Sequence, residues 1–160
     1  MLQQLLVGLC VMCICVVVHA IGLAWALRRL RRTPPTALQF WAVCWLFIRL
    51  AAWLVLLHLG EIGVWAQSYV WGEAMHDTAS ALYFSAVTYT TTGYGDLVLP
   101  ADWRLVGAVE ALTGILMCGW STAFFFAVVS ELAGTHTERH LLPGTTREGR
   151  RTDDRRAHTA

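Results

Sequence analysis

The sequence predicts an all-α membrane protein, and three observations carry that prediction. Only 14% of its 160 residues are charged, and mean hydropathy is positive. Three apolar runs are each long enough to cross a bilayer, which takes about 20 consecutive residues. A shorter segment, 78–90, lies between the second and third runs and leads into a Gly-rich stretch. The chain is too short to enclose a transport pathway alone and has no internal repeat, so any structure needing several such stretches must draw them from several chains.

The first run, 5–27, is followed by Arg28, Arg29, Arg31 and Arg32. A secretory signal carries its positive charge before a shorter apolar core, so this segment reads as a retained helix. Residues 1–32 then form an N-terminal transmembrane helix with an Arg cluster, which the positive-inside rule places in the cytoplasm, with Met1 outside. His19 reads as a helix-contact residue near the inner end, with proton sensing as the alternative. Cys10, Cys13, Cys15, Cys44 and Cys118 all lie in apolar runs and read as small buried hydrophobes, not as a disulfide or metal set.

Thr33-Pro34-Pro35-Thr36 breaks the first helix, because neither proline can donate an amide hydrogen. A second helix is expected over 37–71, longer than a bilayer requires. Trp41 and Trp45 at one end and Trp65 and Trp71 at the other read as aromatic belts, which set the span at about 43–67. Arg49 then falls a turn inside the inner interface. It is the only Arg of this helix, whereas a voltage sensor repeats Arg along one face. Asp77 is the expected N-cap of the short helix 78–90, its carboxylate accepting from exposed amides of the first turn.

That helix leads into Thr90-Thr91-Thr92-Gly93-Tyr94-Gly95-Asp96. Backbone at membrane depth must satisfy its carbonyls by pairing or within a protein-lined cavity. Gly93 and Gly95 can take left-handed dihedrals, which lets successive carbonyls turn toward a common axis. A dehydrated monovalent cation then stands in for the missing donors. One strand supplies too few oxygens for a hydration shell, so several copies must converge.

Thr91-Thr92-Gly93-Tyr94-Gly95-Asp96 resembles the filter of the K⁺ channel family, most often Thr-Val-Gly-Tyr-Gly-Asp, with Thr92 where Val is usual. The resemblance covers about half of the chain and is specific around these residues. It implies a homotetramer in a lipid bilayer, with one 91–96 strand per subunit. K⁺ would be the permeant ion, held by the carbonyls of Thr91, Thr92, Gly93 and Tyr94 and by the Thr91 hydroxyl, with Gly95 completing the strand and Asp96 at the outer mouth. No other cofactor is implied. Segment 78–90 becomes a re-entrant pore helix whose negative dipole end favours a cation. Tyr83 and Phe84 fall where relatives carry aromatic residues that brace the filter tyrosine, here Tyr94.

The pore domain implied is 36–132, with the outer helix 37–71, pore helix 78–90, filter 91–96 and inner helix 102–132. Trp103 marks the outer end of the inner helix, and Trp103-Arg104-Leu105 matches its start in simple two-span relatives. The same alignment puts Gly114 at the hinge glycine and Gly119 at a close-packing position. It turns Ile115, Cys118, Thr122, Phe126 and Ser130 toward the pore; helical spacing alone already sets these five on one stripe. Phe126 is a candidate constriction, although Phe124, Phe125 and Phe126 cannot all face one way. Glu110 is an acid in the same helix and must be protonated, paired or water-linked. A contact to the back of the pore helix, to His58 or to Glu61 is expected. Because Val87 occupies the place where many relatives carry a pore-helix Glu, Glu110 becomes a candidate filter support.

From 133 the sequence turns polar, and 133–160 reads as a disordered cytoplasmic tail bearing Arg147, Arg150, Arg151, Arg155 and Arg156. Glu61, Glu73, Asp77, Asp96 and Asp102 are assigned to the outer side, where fourfold symmetry would make an acidic mouth. No nucleophile, base and oxyanion donors cluster, which argues against an enzyme, and no nucleic-acid partner is expected. The reading is a K⁺-selective channel of the plasma (inner) membrane, with a non-selective cation channel as the alternative. A K⁺ transporter subunit and a non-conducting membrane adaptor are the further alternatives.

Overall fold

The computed structural model describes residues 2–32 and 40–141. Within them it is all-helical: α1 Leu2–Arg31, α2 Phe40–Trp71, α3 Thr78–Tyr89 and α4 Arg104–Leu141. The expected break at Thr33-Pro34-Pro35-Thr36, the start of the second helix at 37 and tail residues 142–160 lie outside the described residues. α4 continues past the expected end at Leu132 as far as Leu141, so the first part of the expected disordered tail is helical. Three helices are long and apolar enough to cross a membrane: Leu2–Arg31, Trp41–Trp71 and Arg104–Glu131. The chain divides into a first unit, Met1–Ala123, and a second that begins at Phe124, of which the described part is helical.

In the first unit, α1 lies along both α2 and α4, and small residues permit the approach. At its start, Gln4 Nε2 donates to Asp102 at 3.1 Å. One turn further, a Cβ on Gly8 would come within 3.1 Å of Val106 on α4. Toward its end, Trp53 Nε1 donates to the Gly22 carbonyl at 3.1 Å, and the Trp25 and Trp53 rings stand 4.5 Å apart. The start of α1 is thus level with the start of α4 and its end with the middle of α2, so α1 runs parallel to α4 and antiparallel to α2.

The core of this unit gathers Trp65, Tyr69, Tyr89, Trp103, Val106 and Met117, with Val11 and Cys15 of α1 joining them. Trp65, expected at the membrane interface, therefore belongs to the interior, while Trp103 stands immediately before α4, at the end of that helix it was expected to mark. Trp65 is fully buried, and Trp103 packs edge-on to Tyr69 at 6.1 Å. Gly72, where α2 ends, makes room for Trp103: an added Cβ would lie 2.3 Å from the indole. Trp41, Trp45 and Trp71 are exposed, as belt residues should be. Of the cysteines, Cys15 alone is buried; Cys10, Cys13 and Cys118 are exposed and Cys44 is half-buried. Arg49 is exposed on α2.

Asp77 caps α3 as its sequence position suggests. It has extended dihedrals, and its carboxylate accepts from the Ser80 amide at 2.9 Å and the Ser80 hydroxyl at 2.8 Å. These bonds, the amide first, hold the Asp77 carboxyl below the ordinary carboxylate range. The cap's contribution is therefore complete above the ordinary Asp pKa of about 3.9 and is lost as pH falls through the lowered folded value. Asp77→Ala should lower the thermal unfolding midpoint of the purified protein at neutral pH. The difference from wild type should shrink in strong acid.

Candidate functional site

Segment 91–96 leaves the end of α3 and doubles back toward α4. The Thr91 amide bonds to Thr88 O at 2.9 Å, the Thr92 amide to Val87 O at 2.9 Å and the Gly93 amide to Val87 O at 3.3 Å. Their amides thus face back toward α3. Gly93 and Gly95 have φ of 56° and 77°, the left-handed region their lack of a Cβ permits, and Thr91 joins them at φ 58°. Among the described residues, no carbonyl from Thr91 to Gly95 accepts a hydrogen bond. The whole stretch is exposed in the single chain, Tyr94 at 71%. A row of unpaired carbonyls in a membrane protein requires partners that one chain does not supply.

Side chains around the stretch are more settled. The Thr92 hydroxyl, the group that replaces a methyl of Val, lies 2.9 Å from the Thr90 hydroxyl, which itself reaches Ala86 O at 2.7 Å. The extra polar group therefore has a partner. Tyr83 donates to the Asp96 carboxylate at 2.8 Å, tying α3 to the far end of the stretch. Phe84 has a partner on α2. Within one chain its ring partner is Tyr69, edge-on at 5.5 Å, and not Tyr94.

On α4, Gly114 is the closely packed glycine within the chain, and Gly119 is open. A Cβ on Gly114 would lie 1.9 Å from the Tyr89 carbonyl oxygen, whereas one on Gly119 would meet nothing within 4 Å in the chain. Gly114 is the point where α4 touches the end of α3, backbone against backbone. Ile115, Cys118 and Thr122 are exposed along the first unit's part of α4; Phe126 and Ser130 are exposed in the second unit. Five residues at helical spacing thus share a lack of cover within the chain.

Two buried polar clusters lie behind α3. In the first, Glu110 is fully buried and accepts from Tyr69 at 2.7 Å and from Ser85, whose hydroxyl is also 3.0 Å from Ile62 O. Glu110 thus meets the back of α3 through Ser85, one of the contacts expected for it. The second cluster corrects the placement of Glu61. This acid was assigned to an outer mouth, but it is fully buried, with His19 Nδ1 at 2.8 Å and the Tyr89 hydroxyl bonded to it. His58 Nδ1 is 3.1 Å from the Tyr89 hydroxyl, and Ser121 Oγ is 3.1 Å from Nε2 of both histidines. His19 accordingly sits level with Glu61 and Ser121.

The fold places three spanning helices and one short helix around an exposed strand with unsatisfied carbonyls, which is the arrangement of a subunit of a membrane pore. A family model described as Ion channel matches residues 43–131, more than half of the chain. The protein belongs to that family: it is an integral membrane protein of the ion-channel class, with an additional N-terminal helix outside the matched region. Comparison with curated proteins and with solved structures returns no match.

Proposed function

We propose that four copies of this chain form a K⁺-selective channel in the plasma membrane, with the 91–96 strands meeting on the fourfold axis. The carbonyls of Thr91, Thr92, Gly93 and Tyr94 and the Thr91 hydroxyl replace water around the ion, and Asp96 stands at the outer mouth. The observation that carries this reading is the strand itself: left-handed Gly93 and Gly95, and carbonyls with no hydrogen-bond partner in their own chain. A stripped cation supplies what those oxygens lack. The uncovered stripe Ile115, Cys118, Thr122, Phe126 faces the cavity below, with Phe126 as its narrow point. Tyr83, through Asp96, and Glu110, through Ser85, hold the pore helix and strand in register. The N-terminus lies outside and the Arg clusters inside.

Selectivity is the finer part of the proposal. Thr92 adds a hydroxyl to the commonest filter sequence, but its bond to Thr90 directs that hydroxyl away from the need for an ion. The expected result in planar bilayers under opposed K⁺ and Na⁺ gradients is a reversal potential near the K⁺ equilibrium potential. A reversal potential that follows both ions equally would replace this reading with a non-selective cation channel. A purified assembly of one or two chains by native mass spectrometry would remove the fourfold filter altogether.

A further inference from the structure

The Glu61 cluster joins four helices in a closed ring: Glu61 to His19 of α1, His19 to Ser121 of α4, Ser121 to His58 of α2, His58 to Tyr89 of α3, and Tyr89 back to Glu61. Each of these five contacts needs one proton, since neither an acceptor pair nor a donor pair is a hydrogen bond. With Glu61 ionised and both histidines neutral, the ring holds four protons, one each on His19, His58, Ser121 and Tyr89. One contact would then remain open, and the buried cluster would carry a net negative charge. A fifth proton closes it. The proton sits either on a histidine, balancing the carboxylate, or on Glu61 itself, and in both cases the ring is neutral. A sixth proton leaves two imidazole N–H groups facing Ser121 and its own hydroxyl hydrogen without an acceptor. Charge balance and hydrogen-bond count therefore agree on a single protonation state, and both imbalances are costly in hydrocarbon.

We propose that α1 is a working part of the conducting unit: its His19 completes a five-proton ring that fixes Tyr89, and the ring's loss of a proton releases the end of the pore helix. Tyr89 is the last residue of α3, its carbonyl touches α4 at Gly114, and Thr91 follows two positions later. His19 and Glu61 are positioning residues, acting on the strand through Tyr89. The other titratable groups near Glu61 are thiols, Cys15 of α1 and Cys118 of α4, while Glu110 of α4 faces Cys15. His19, His58 and Glu61 also form a donor set that a divalent cation accepts. The spacing favours protons. Zinc holds its donors at 2.0–2.2 Å, which sets neighbouring donors roughly 3.3 Å apart in a tetrahedron, whereas His19 Nδ1 and Glu61 stand at 2.8 Å and His58 Nδ1 is engaged with the Tyr89 hydroxyl.

The discriminating variant is Glu61→Gln. Its amide can donate to His19 Nδ1 and its carbonyl can accept from Tyr89, so all five contacts close with neutral histidines and no extra proton. The flux readout rests on the conduction reading above, so thermal unfolding of the purified protein is followed in parallel. In wild type, K⁺ flux from proteoliposomes and the unfolding midpoint should both fall on an alkaline limb, flux by at least about tenfold per pH unit because each of the four rings of a tetramer loses one proton. Glu61→Gln should conduct and lack that limb in both readouts, while Glu61→Ala and His19→Phe should conduct poorly at every pH. Thiol titration cannot produce this pattern, because Cys15 and Cys118 remain in the Gln variant. A pH-dependent midpoint that Glu61→Gln abolishes, in a protein with no K⁺ flux at any pH, would refute conduction and leave the ring standing. A wild type without an alkaline limb in the midpoint, a limb that persists in Glu61→Gln, or stoichiometric zinc in the purified protein would overturn the ring.

Discussion

Gly114→Ala should abolish the conducting assembly, although the same substitution in a solvent-facing helix would stabilise it. Ala exceeds Gly in helix propensity by about 1 kcal/mol. Against that gain stands an overlap that nothing nearby can relieve. The new methyl would lie 1.9 Å from the Tyr89 carbonyl oxygen, 2.8 Å from its carbon and 3.2 Å from its Cα, all of them backbone. Overpacking in cores typically costs about 1–3 kcal/mol even where side chains can shift, and here α4 must move away from α3 by more than an ångström. The displaced end of α3 is the residue from which segment 91–96 departs, so the loss should appear in function as well as in stability. The matched control is Gly60→Ala on α2, where an added Cβ meets nothing within 4 Å. Size-exclusion chromatography and K⁺ flux should show the Gly60 variant close to wild type and the Gly114 variant without a conducting oligomer. A Gly114→Ala protein that assembles and conducts normally would mean that α3 and α4 are not in backbone contact.

How much of this was legible in the sequence depends on whether a residue's role is local. Helix identities, the Asp77 cap and the left-handed glycines follow from periodicity, residue type and immediate neighbours, and they needed no tertiary information. The burial of Trp65 and Trp103 is hidden for the opposite reason. A tryptophan near a helix end is an interfacial anchor or a core residue according to what opposes it, and for Trp103 that is the space left by Gly72, more than thirty positions away in sequence. Glu61 belongs with them, because an acid toward a helix end is surface or core according to what opposes it. A signal for its true setting was present: His58 and Glu61 are three apart on one helix face, and His19 is, thiols aside, the one ionisable side chain within the apolar run 5–27. Together these mark a buried acid paired with histidines from two helices. The Gly114 contact left no such trace, since a glycine that admits a carbonyl and one that acts as a hinge look alike in sequence. Phe84 marks a further boundary, because a contact between subunits cannot be seen in one chain.

Truncating Glu110 should cost nearly as much as crowding Gly114, and the asymmetry between two substitutions identifies the cause. The carboxylate is fully buried and accepts from Tyr69 and Ser85, linking α2, α3 and α4 at one point. Glu110→Ala removes both acceptors and leaves a cavity. Ser85 has a second acceptor 3.0 Å away in the Ile62 carbonyl, so the Tyr69 hydroxyl is the group left without one. A buried hydroxyl stripped of its partner costs about 1–3 kcal/mol, and a large-to-small cavity about 2–5 kcal/mol, the two overlapping in part. Glu110→Gln keeps the volume and can restore every bond: its carbonyl accepts from Tyr69, and its amide donates to Ser85, whose own proton turns to Ile62 O. The expected order of unfolding midpoints is therefore wild type and Glu110→Gln close together, with Glu110→Ala far below. Tyr69→Phe in the Glu110→Ala background should recover part of the loss, because it removes the stranded hydroxyl. If Glu110→Gln were as damaging as Glu110→Ala, the residue would matter for its charge and not as the acceptor joining the back of α3 to its neighbours.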